Sequence, residues 1–357
     1  MYVSKKKISF PQFGNYCIPF EYLLTNVLNF DYILPPPTTK RTLELGSMHS
    51  PDFVCSPFKY QLGGYIEVLE KGADVLFQIG GVCRLGYYGE LHEQILRDLG
   101  YKFEFINFSE LNIYNPVDIF NRFKKYNPKL SISNITVSLL NCIEMVKMMD
   151  EMEIYIRESV GFEVIEGSFD KVYDEFLAKA KTIKTKKELK KLFSEYYKKI
   201  KDIETIKPKN PLRVGIIGEY YTIMEPFSNH FMEKELAKKG IVVTRTMNIS
   251  NTVFWLGREK TLKKKAKEYL KYDIGATGMD TVTEAIELAK KKYDGIIHIK
   301  SFGCTPEIDS MPVLQNISND YKIPILYFSF DSQTSETGIK TRLEAFYDMI
   351  VMRKEKK

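Results

Sequence analysis

The sequence predicts an α/β protein with two parallel-sheet domains and a helical segment between them. Short apolar runs alternate with longer amphipathic stretches in two parts of the chain, 5–110 and 212–357, and this alternation is typical of parallel sheets covered by helices. The segment 111–207 shows helical spacing without strand-like runs. Each outer part is therefore predicted to be Rossmann-like or flavodoxin-like, and we expect the functional site in a cleft between the two domains.

The composition fits a globular protein. Hydrophobic residues make up 44% and aromatic residues 13% of the chain, which argues against disorder. The net charge is +6, and the Lys-rich stretches at 184–187 and 263–265 lie on helical patterns, so solvated helix faces are favoured over a nucleic-acid surface. We find no secretory segment and no apolar run of membrane-spanning length. We expect a cytoplasmic, reducing location without a nucleic-acid or membrane partner, where separated cysteines favour metal or redox chemistry over disulfides.

The first domain is predicted to alternate strands and helices from its start. Pro35-Pro36-Pro37 stops the second apolar run, because proline cannot donate to a strand ladder. The predicted elements are, in order, a strand at 7–11, a helix at 18–28, a strand at 32–34, a short helix ending near Gly46, a helix after Cys55, a strand at 75–79, a helix from Cys83 to about Leu99 and a strand at 103–106.

The second domain is predicted to repeat this pattern after a Pro-containing linker at 206–211. Between the domains, apolar residues at helical spacing predict several amphipathic helices. The predicted elements of the second domain are a strand at 212–218, a loop at 219–221, a helix at 231–239, a strand at 241–243, a helix at about 280–292, a strand around Ile296, a helix after Cys304, a strand at 323–328 and a helix from Thr337 to about Met352.

Cys304 is the residue around which we interpret the second domain. It follows the apolar run 295–299, which predicts a buried strand, and precedes Pro306 and a helical pattern. We therefore expect Cys304 at the carboxyl end of a strand, where ligands bind in open α/β sheets. The amino end of the following helix favours an anion and hence a thiolate.

Two further cysteines, Cys55 and Cys83, stand in a similar context, whereas Cys17 and Cys142 do not. Three thiolates can hold an iron or zinc centre, and three ligands leave one position of a metal site open for chemistry. The spacing of these cysteines matches no compact C-x-x-C pattern. Partly buried thiols without a metal therefore remain an equal alternative from the residues alone.

Several motifs resemble the 2-hydroxyacyl-CoA dehydratase-like family, and in particular the stand-alone form of its acyl-CoA dehydratase activase-related branch. The resemblance covers nearly the whole chain. Its markers here are Gly14-Asn15-Tyr16 with Ile18-Pro19-Phe20, the run from Pro35 to Gly46, Cys55-Ser56-Pro57-Phe58-Lys59, Cys83 to Glu90, Gly218-Glu219-Tyr220, Glu225-Pro226, Asn229, Phe302-Gly303-Cys304 with Pro306-Glu307, and the segment from Asp331 to Phe346.

The resemblance implies a two-domain subunit that forms homo- or heterodimers and holds a [4Fe–4S] cluster on Cys55, Cys83 and Cys304. In such systems a separate ATP-hydrolysing iron–sulfur activator injects a low-potential electron. The dehydratase then reduces the thioester of a 2-hydroxyacyl-CoA to a ketyl radical, which expels hydroxide. The chain departs from the family pattern at Gly80-Gly81-Val82 and at Ser335, and both departures concern the substrate pocket.

Three functions follow as hypotheses. The first is an oxygen-sensitive, cluster-bearing lyase or reductase subunit, in which Arg84 and Lys59 tune the cluster and Glu219 and Glu307 handle protons. Salt bridges and helix capping are the simpler roles for these four residues. The second is an electron-transfer or accessory subunit with a cluster and no substrate site. The third is a zinc or metal-free nucleotide-binding module.

Overall fold

The computed structural model describes residues 5–28, 30–78, 83–107, 116–253 and 257–356. The chain forms two compact units, one up to Val146 and the other from Lys147. Within the described residues, each unit contains a four-stranded sheet in which every strand pair is parallel. The predicted α/β fold with two parallel sheets is confirmed.

The first unit has the strand order β2-β1-β3-β4. Successive residues of β3 point to opposite faces of the sheet. Val75 and Phe77 join a core with α1 and α5, whereas Leu76 packs in a second core with α3 and α4. The elements are β1 Lys7–Ser9, α1 Cys17–Leu28, β2 Asp31–Tyr32, α2 Lys40–His49, α3 Ser56–Glu70, β3 Val75–Gln78, α4 Tyr88–Asp98, β4 Glu104–Asn107, α5 Pro116–Tyr126 and α6 Ile132–Ser159, which continues into the second unit.

The second unit repeats the strand order as β6-β5-β7-β8. The segment predicted to be helical contains α5 to α8, and α12 contains the Lys-rich stretch 263–265 that was predicted to be helical. The short helix α11 was not predicted, and the loop predicted at 219–221 is wrong because α9 begins at Tyr220. The elements are α7 Ser168–Ala180, α8 Lys186–Lys201, β5 Leu212–Gly218, α9 Tyr220–Met224, α10 Met232–Ala237, β6 Ile241–Thr244, α11 Ile249–Thr252, α12 Arg258–Ala266, α13 Gly278–Lys290, β7 Gly295–Ser301, α14 Thr305–Tyr321, β8 Ile325–Phe330 and α15 Glu336–Glu355.

This strand order places the loops that follow the two central strands of each sheet next to each other. In the second unit the chain leaves β5 towards β6 and leaves β7 towards β8, so the connections diverge from the middle of the sheet. Ligands of open α/β sheets bind at this point. The Glu219 N–H donates to the Ile299 carbonyl at 2.8 Å, which joins the residue after β5 directly to β7.

Helices α2 and α3 approach each other through two glycines. A Cβ on Gly46 would lie 1.7 Å from the Lys59 carbonyl oxygen, and one on Gly63 would lie 1.8 Å from the Thr42 carbonyl oxygen. The prediction that α2 ends near Gly46 is wrong, because the helix continues to His49 and Gly46 serves the helix contact instead. Thr39 begins α2 with a capping box that also involves Thr42.

The two neighbouring glycines of α3 give a matched test of this contact. We expect Gly63→Ala to lower the free energy of unfolding by about 1–3 kcal/mol, because the new methyl group collides with backbone. Gly64→Ala should leave it unchanged or raise it by up to about 1 kcal/mol, because a Cβ there meets nothing closer than 3.9 Å and alanine favours the helix. Urea denaturation measures both. Equal effects of the two substitutions would contradict the proposed role of Gly63.

Candidate functional site

The first unit gathers Cys55, Cys83 and Arg84 around one phenol. The Tyr88 hydroxyl lies 2.8 Å from the Cys55 sulfur. Burial raises the pKa of Tyr88 well above its usual value, the two thiols raise it further, and the Arg84 guanidinium opposes them. All three side chains therefore lie within electrostatic reach of Tyr88, a residue that sequence reasoning did not single out.

Cys55 and Cys83 are positioned near Tyr88 by different secondary-structure elements. Cys55 is the residue before α3, and Pro57 stands in the first turn of that helix. It follows a turn after α2 rather than a strand, so its context differs from the one we expected. Cys83 follows β3 and precedes a short 3-10 helix, Arg84–Tyr87, before α4 begins. The Gly80-Gly81-Val82 segment that precedes Cys83 lies outside the described residues.

The buried His92 packs against Phe58, which in turn packs against Tyr88. The His92 ring stacks on Phe58 with centroids 4.1 Å apart, and Phe58 contacts the Tyr88 ring edge-on at 4.8 Å. His92 Nε2 lies 3.2 Å from the Phe58 carbonyl oxygen, to which it donates, and Nδ1 lies 3.0 Å from the side-chain oxygen of Gln78. Burial lowers the pKa of His92 to about 3, so the ring is neutral near pH 7.

In the second unit Cys304 lies where the sequence predicted it, between β7 and α14. Its N–H donates to the Ser301 carbonyl at 3.1 Å, and Gly303 before it has a φ of +75°, which favours glycine. Cys304 is half-buried and is the capping position of α14. The thiol therefore lies at the amino end of a helix of five turns, where the peptide dipoles favour an anion.

Sequence reasoning missed Lys300, a buried lysine near Cys304. Its ammonium donates to the Ser329 hydroxyl of β8 at 3.0 Å. Burial lowers the pKa of Lys300, whereas the Cys304 thiol and the Glu307 carboxylate raise it, so both lie within its electrostatic reach. The available signal was a lysine near the end of a mostly apolar strand, two residues before the Phe302-Gly303-Cys304 motif.

Glu307, a predicted proton handler, belongs to the first turn of α14 and is completely buried. His298 Nε2 lies 2.7 Å from its carboxylate, so this buried histidine of β7 is paired with Glu307. The hydroxyls of Thr277 and Thr281 donate to the same carboxylate at 2.5 and 3.0 Å, and Ser310 lies at 3.5 Å. Glu307 does not cap a helix, and its contacts join β7, α13 and α14.

Glu219, the other predicted proton handler, caps α9. Its carboxylate accepts from the N–H groups of Tyr221 at 2.8 Å and Thr222 at 2.9 Å, and from the Thr222 hydroxyl. Burial raises the pKa of Glu219, hydrogen bonds from Thr222 and Tyr221 oppose this, and the charge of Glu307 raises it further. The two carboxyls are therefore coupled across β5 and β7.

The remaining marker segments make local structure. Asn229 donates to the Thr222 carbonyl at 2.8 Å and accepts from the Met232 N–H at 3.0 Å, which ties α9 to α10. Asp331 accepts from the Gln333 N–H at 2.8 Å, and Ser335 caps α15. Within the described ranges, no group of three or more His, Cys, Asp or Glu side chains has an arrangement that could hold a metal ion.

These features define an α/β protein with two parallel sheets in which Cys55 and Cys304 stand directly before helices and Cys83 follows a strand. A model of the family "2-hydroxyglutaryl-CoA dehydratase, D-component" matches residues 167–350, slightly more than half of the chain. The chain belongs to this family, which confirms the 2-hydroxyacyl-CoA dehydratase-like resemblance. The matched segment contains Glu219, Cys304 and Glu307 and begins after the cysteines of the first unit.

A further comparison and the apolar character of the helices each gave a negative finding. No curated protein matches the chain. Among the helices in the described part of the chain, none combines the length and the apolar character needed to cross a membrane.

His92 gives a pH-dependent test of the first unit. Its pKa is about 3 in the folded protein and about 6.5 in an unfolded chain, so below pH 6.5 the unfolded state binds the additional proton. The free energy of unfolding should therefore fall with decreasing pH between about 6.5 and 3, with a contribution of up to about 1.4 kcal/mol per pH unit from this group. Denaturation of His92→Gln over this range should show a slope shallower by that amount. An unchanged slope would mean that His92 is not buried as described.

Burial predicts the order in which the thiols react. Cys83 is exposed, whereas Cys142 is buried and its pKa is raised to about 12 by that burial. Brief iodoacetamide treatment of the folded, cluster-free protein at pH 8 should modify Cys83 first and leave Cys142 unmodified, because the thiolate is the nucleophile. Peptide mass spectrometry measures the order. Rapid labelling of Cys142 before denaturation would contradict its placement in α6.

Proposed function

We propose that this protein is the iron–sulfur subunit of an ATP-activated reductive system of the 2-hydroxyacyl-CoA dehydratase type. The observation that carries the proposal is that Cys55 and Cys83, which are distant in the sequence, both lie within electrostatic reach of Tyr88. Membership of the dehydratase D-component family supports the reaction class. The substrate in this proposal is a 2-hydroxyacyl thioester of coenzyme A.

The residues present suit a [4Fe–4S] cluster with three protein ligands. Cys55 and Cys83 are thiols that are partly or fully accessible, and Cys304 begins a helix. Two cations, Arg84 near the first pair and Lys300 near Cys304, would offset the negative charge of bound thiolates. A cluster bound by these three cysteines would supply transfer of single low-potential electrons and one iron without a cysteine ligand.

The chain itself must supply a proton, because the hydroxyl group of the substrate leaves as water. Glu219 is our candidate for holding that proton, since burial and the nearby Glu307 raise its pKa. Glu307 would act through Glu219 and not on substrate, because three hydroxyls and His298 surround its carboxylate. The partners in this proposal are an ATP-hydrolysing iron–sulfur activator and a homologous subunit.

An accessory subunit that transfers electrons without binding substrate is the second candidate. The observation that favours it is that both glutamates already form structural hydrogen bonds. Glu219 caps α9, and Glu307 connects three secondary-structure elements. A carboxylate that is already bonded to the protein makes a poorer contact with substrate. Binding of an acyl-CoA therefore separates the two candidates.

The cluster can be tested by anaerobic purification with iron and acid-labile sulfide counted. We expect about four of each per chain and a broad visible absorption. Separate substitution of Cys55, Cys83 and Cys304 by Ala should abolish or strongly reduce both, whereas Cys17→Ala and Cys142→Ala serve as matched controls and should retain them. Full iron content in any of the first three variants would refute that ligand. Zinc or no metal in the reconstituted protein would favour the third hypothesis.

The substrate site is tested next with the cluster-loaded protein. Saturable binding of a 2-hydroxyacyl-CoA in calorimetry, competed by coenzyme A thioesters, would support the dehydratase. A loaded protein that accepts electrons from an activator but binds no thioester would support the accessory subunit.

A further inference from the structure

Tyr88 is a buried tyrosine whose hydroxyl contacts a cysteine. The residue is 5% exposed, and its hydroxyl oxygen lies 2.8 Å from the Cys55 sulfur. In the part of the chain that the structure describes, this sulfur is the one hydrogen-bond partner of the Tyr88 hydroxyl. A phenylalanine would fill the same space without a polar atom that needs a partner. The contact with the sulfur therefore accounts for a hydroxyl at this position.

Three contacts fix the position of this hydroxyl relative to Cys55. The Phe58 N–H donates to the Cys55 carbonyl at 3.1 Å, which holds the first turn of α3 against the cysteine. The Phe58 ring packs edge-on against the Tyr88 ring with centroids 4.8 Å apart, and His92 packs against both rings. The contact between the Tyr88 oxygen and the Cys55 sulfur completes the set. Because Phe58 and His92 are fully buried, the phenol has little freedom to turn away from the sulfur.

The chemistry of the two groups decides which of them donates when Cys55 binds a metal. A thiol and a phenol can each donate or accept a hydrogen bond. A cysteine that ligates a metal is a thiolate, which has no hydrogen and can only accept. A phenol keeps its proton near pH 7, so Tyr88 is then the donor. Hydrogen bonds to charged acceptors are roughly twice as strong as those between neutral groups.

We propose that Tyr88 is a positioning residue for Cys55, and that its hydroxyl donates a hydrogen bond to the Cys55 sulfur in the cluster-bound protein. This inference rests on the proposed function, because it takes Cys55 as a cluster ligand. The reduced form of an iron–sulfur cluster is more negative than the oxidised form, so a hydrogen bond to a ligand sulfur stabilises the reduced form more. Tyr88 therefore raises the reduction potential of a cluster bound by Cys55.

Arg84 acts on the same part of the first unit in a different way. Its guanidinium lies within electrostatic reach of Tyr88, and a positive charge also favours the reduced form of a cluster. A charge acts without a hydrogen bond, whereas the proposed effect of Tyr88 depends on one O–H group. A substitution that removes only the Tyr88 oxygen therefore separates the two effects.

Anaerobic redox titration of the reconstituted full chain tests the proposal with Tyr88→Phe, which keeps the ring and its packing on Phe58. We expect the same iron and sulfide content as in the unmodified protein and a lower midpoint potential. At a fixed potential the ratio of reduced to oxidised cluster should fall about tenfold, as expected for the loss of one hydrogen bond to a charged group. Tyr87→Phe is the matched control, because that neighbouring tyrosine is 80% exposed, and it should leave the potential unchanged.

A second control separates the hydrogen bond to sulfur from packing. Tyr65 lies in the same core as Tyr88 and donates to the Phe77 carbonyl at 3.1 Å. Tyr65→Phe should therefore lower the melting temperature and leave the midpoint potential unchanged. A shift in Tyr87→Phe or Tyr65→Phe equal to that in Tyr88→Phe would overturn the proposal, because the effect would then not need the contact with sulfur.

The iron count separates failure of this inference from failure of the proposed function. An unmodified protein that holds no cluster after reconstitution would refute the proposed function and this inference with it. A full cluster with the same midpoint potential in Tyr88→Phe and in the unmodified protein would overturn this inference alone.

Discussion

The close pairing of β5 with β7 is the constraint on which the second unit depends. A Cβ on Gly218 would lie 1.8 Å from the Ile299 carbonyl oxygen, and its φ of +132° favours glycine. The absence of a side chain lets Glu219 continue the pairing through its N–H. The loops after both strands therefore start side by side, and the buried carboxyls of Glu219 and Glu307 are coupled as a consequence.

Most of the fold could be predicted from the sequence, because buried parallel strands are continuous apolar runs bounded by turn residues. The observed ends differ by a few residues. The last strand begins at Ile325 and not at Ile323, since the chain reaches the sheet only at Pro324, whose carbonyl accepts from the Ile296 N–H. Gly46 misled the prediction of α2 because a glycine in a helix can serve a close contact as well as an end.

Less of the candidate site could be predicted from the sequence. The sequence placed Cys304 correctly because its strand, turn and helix are contiguous, and contiguous patterns can be read without knowing the fold. The contact between Cys55 and Tyr88 joins α3 to α4, so it depends on tertiary packing. The same holds for Glu307 with His298, and for Lys300, whose burial is decided by the neighbouring strand β8.

The identical strand order of the two units lets their chains be compared position by position. In each unit one helix directly precedes the third strand of that unit: α3 precedes β3 in the first unit, and α13 precedes β7 in the second. The residue before that helix is Cys55 in one unit and Thr277 in the other, where the hydroxyl binds Glu307. The four corresponding positions before these helices and before the next helical segment of each unit therefore carry three cysteines, Cys55, Cys83 and Cys304, and one threonine, Thr277.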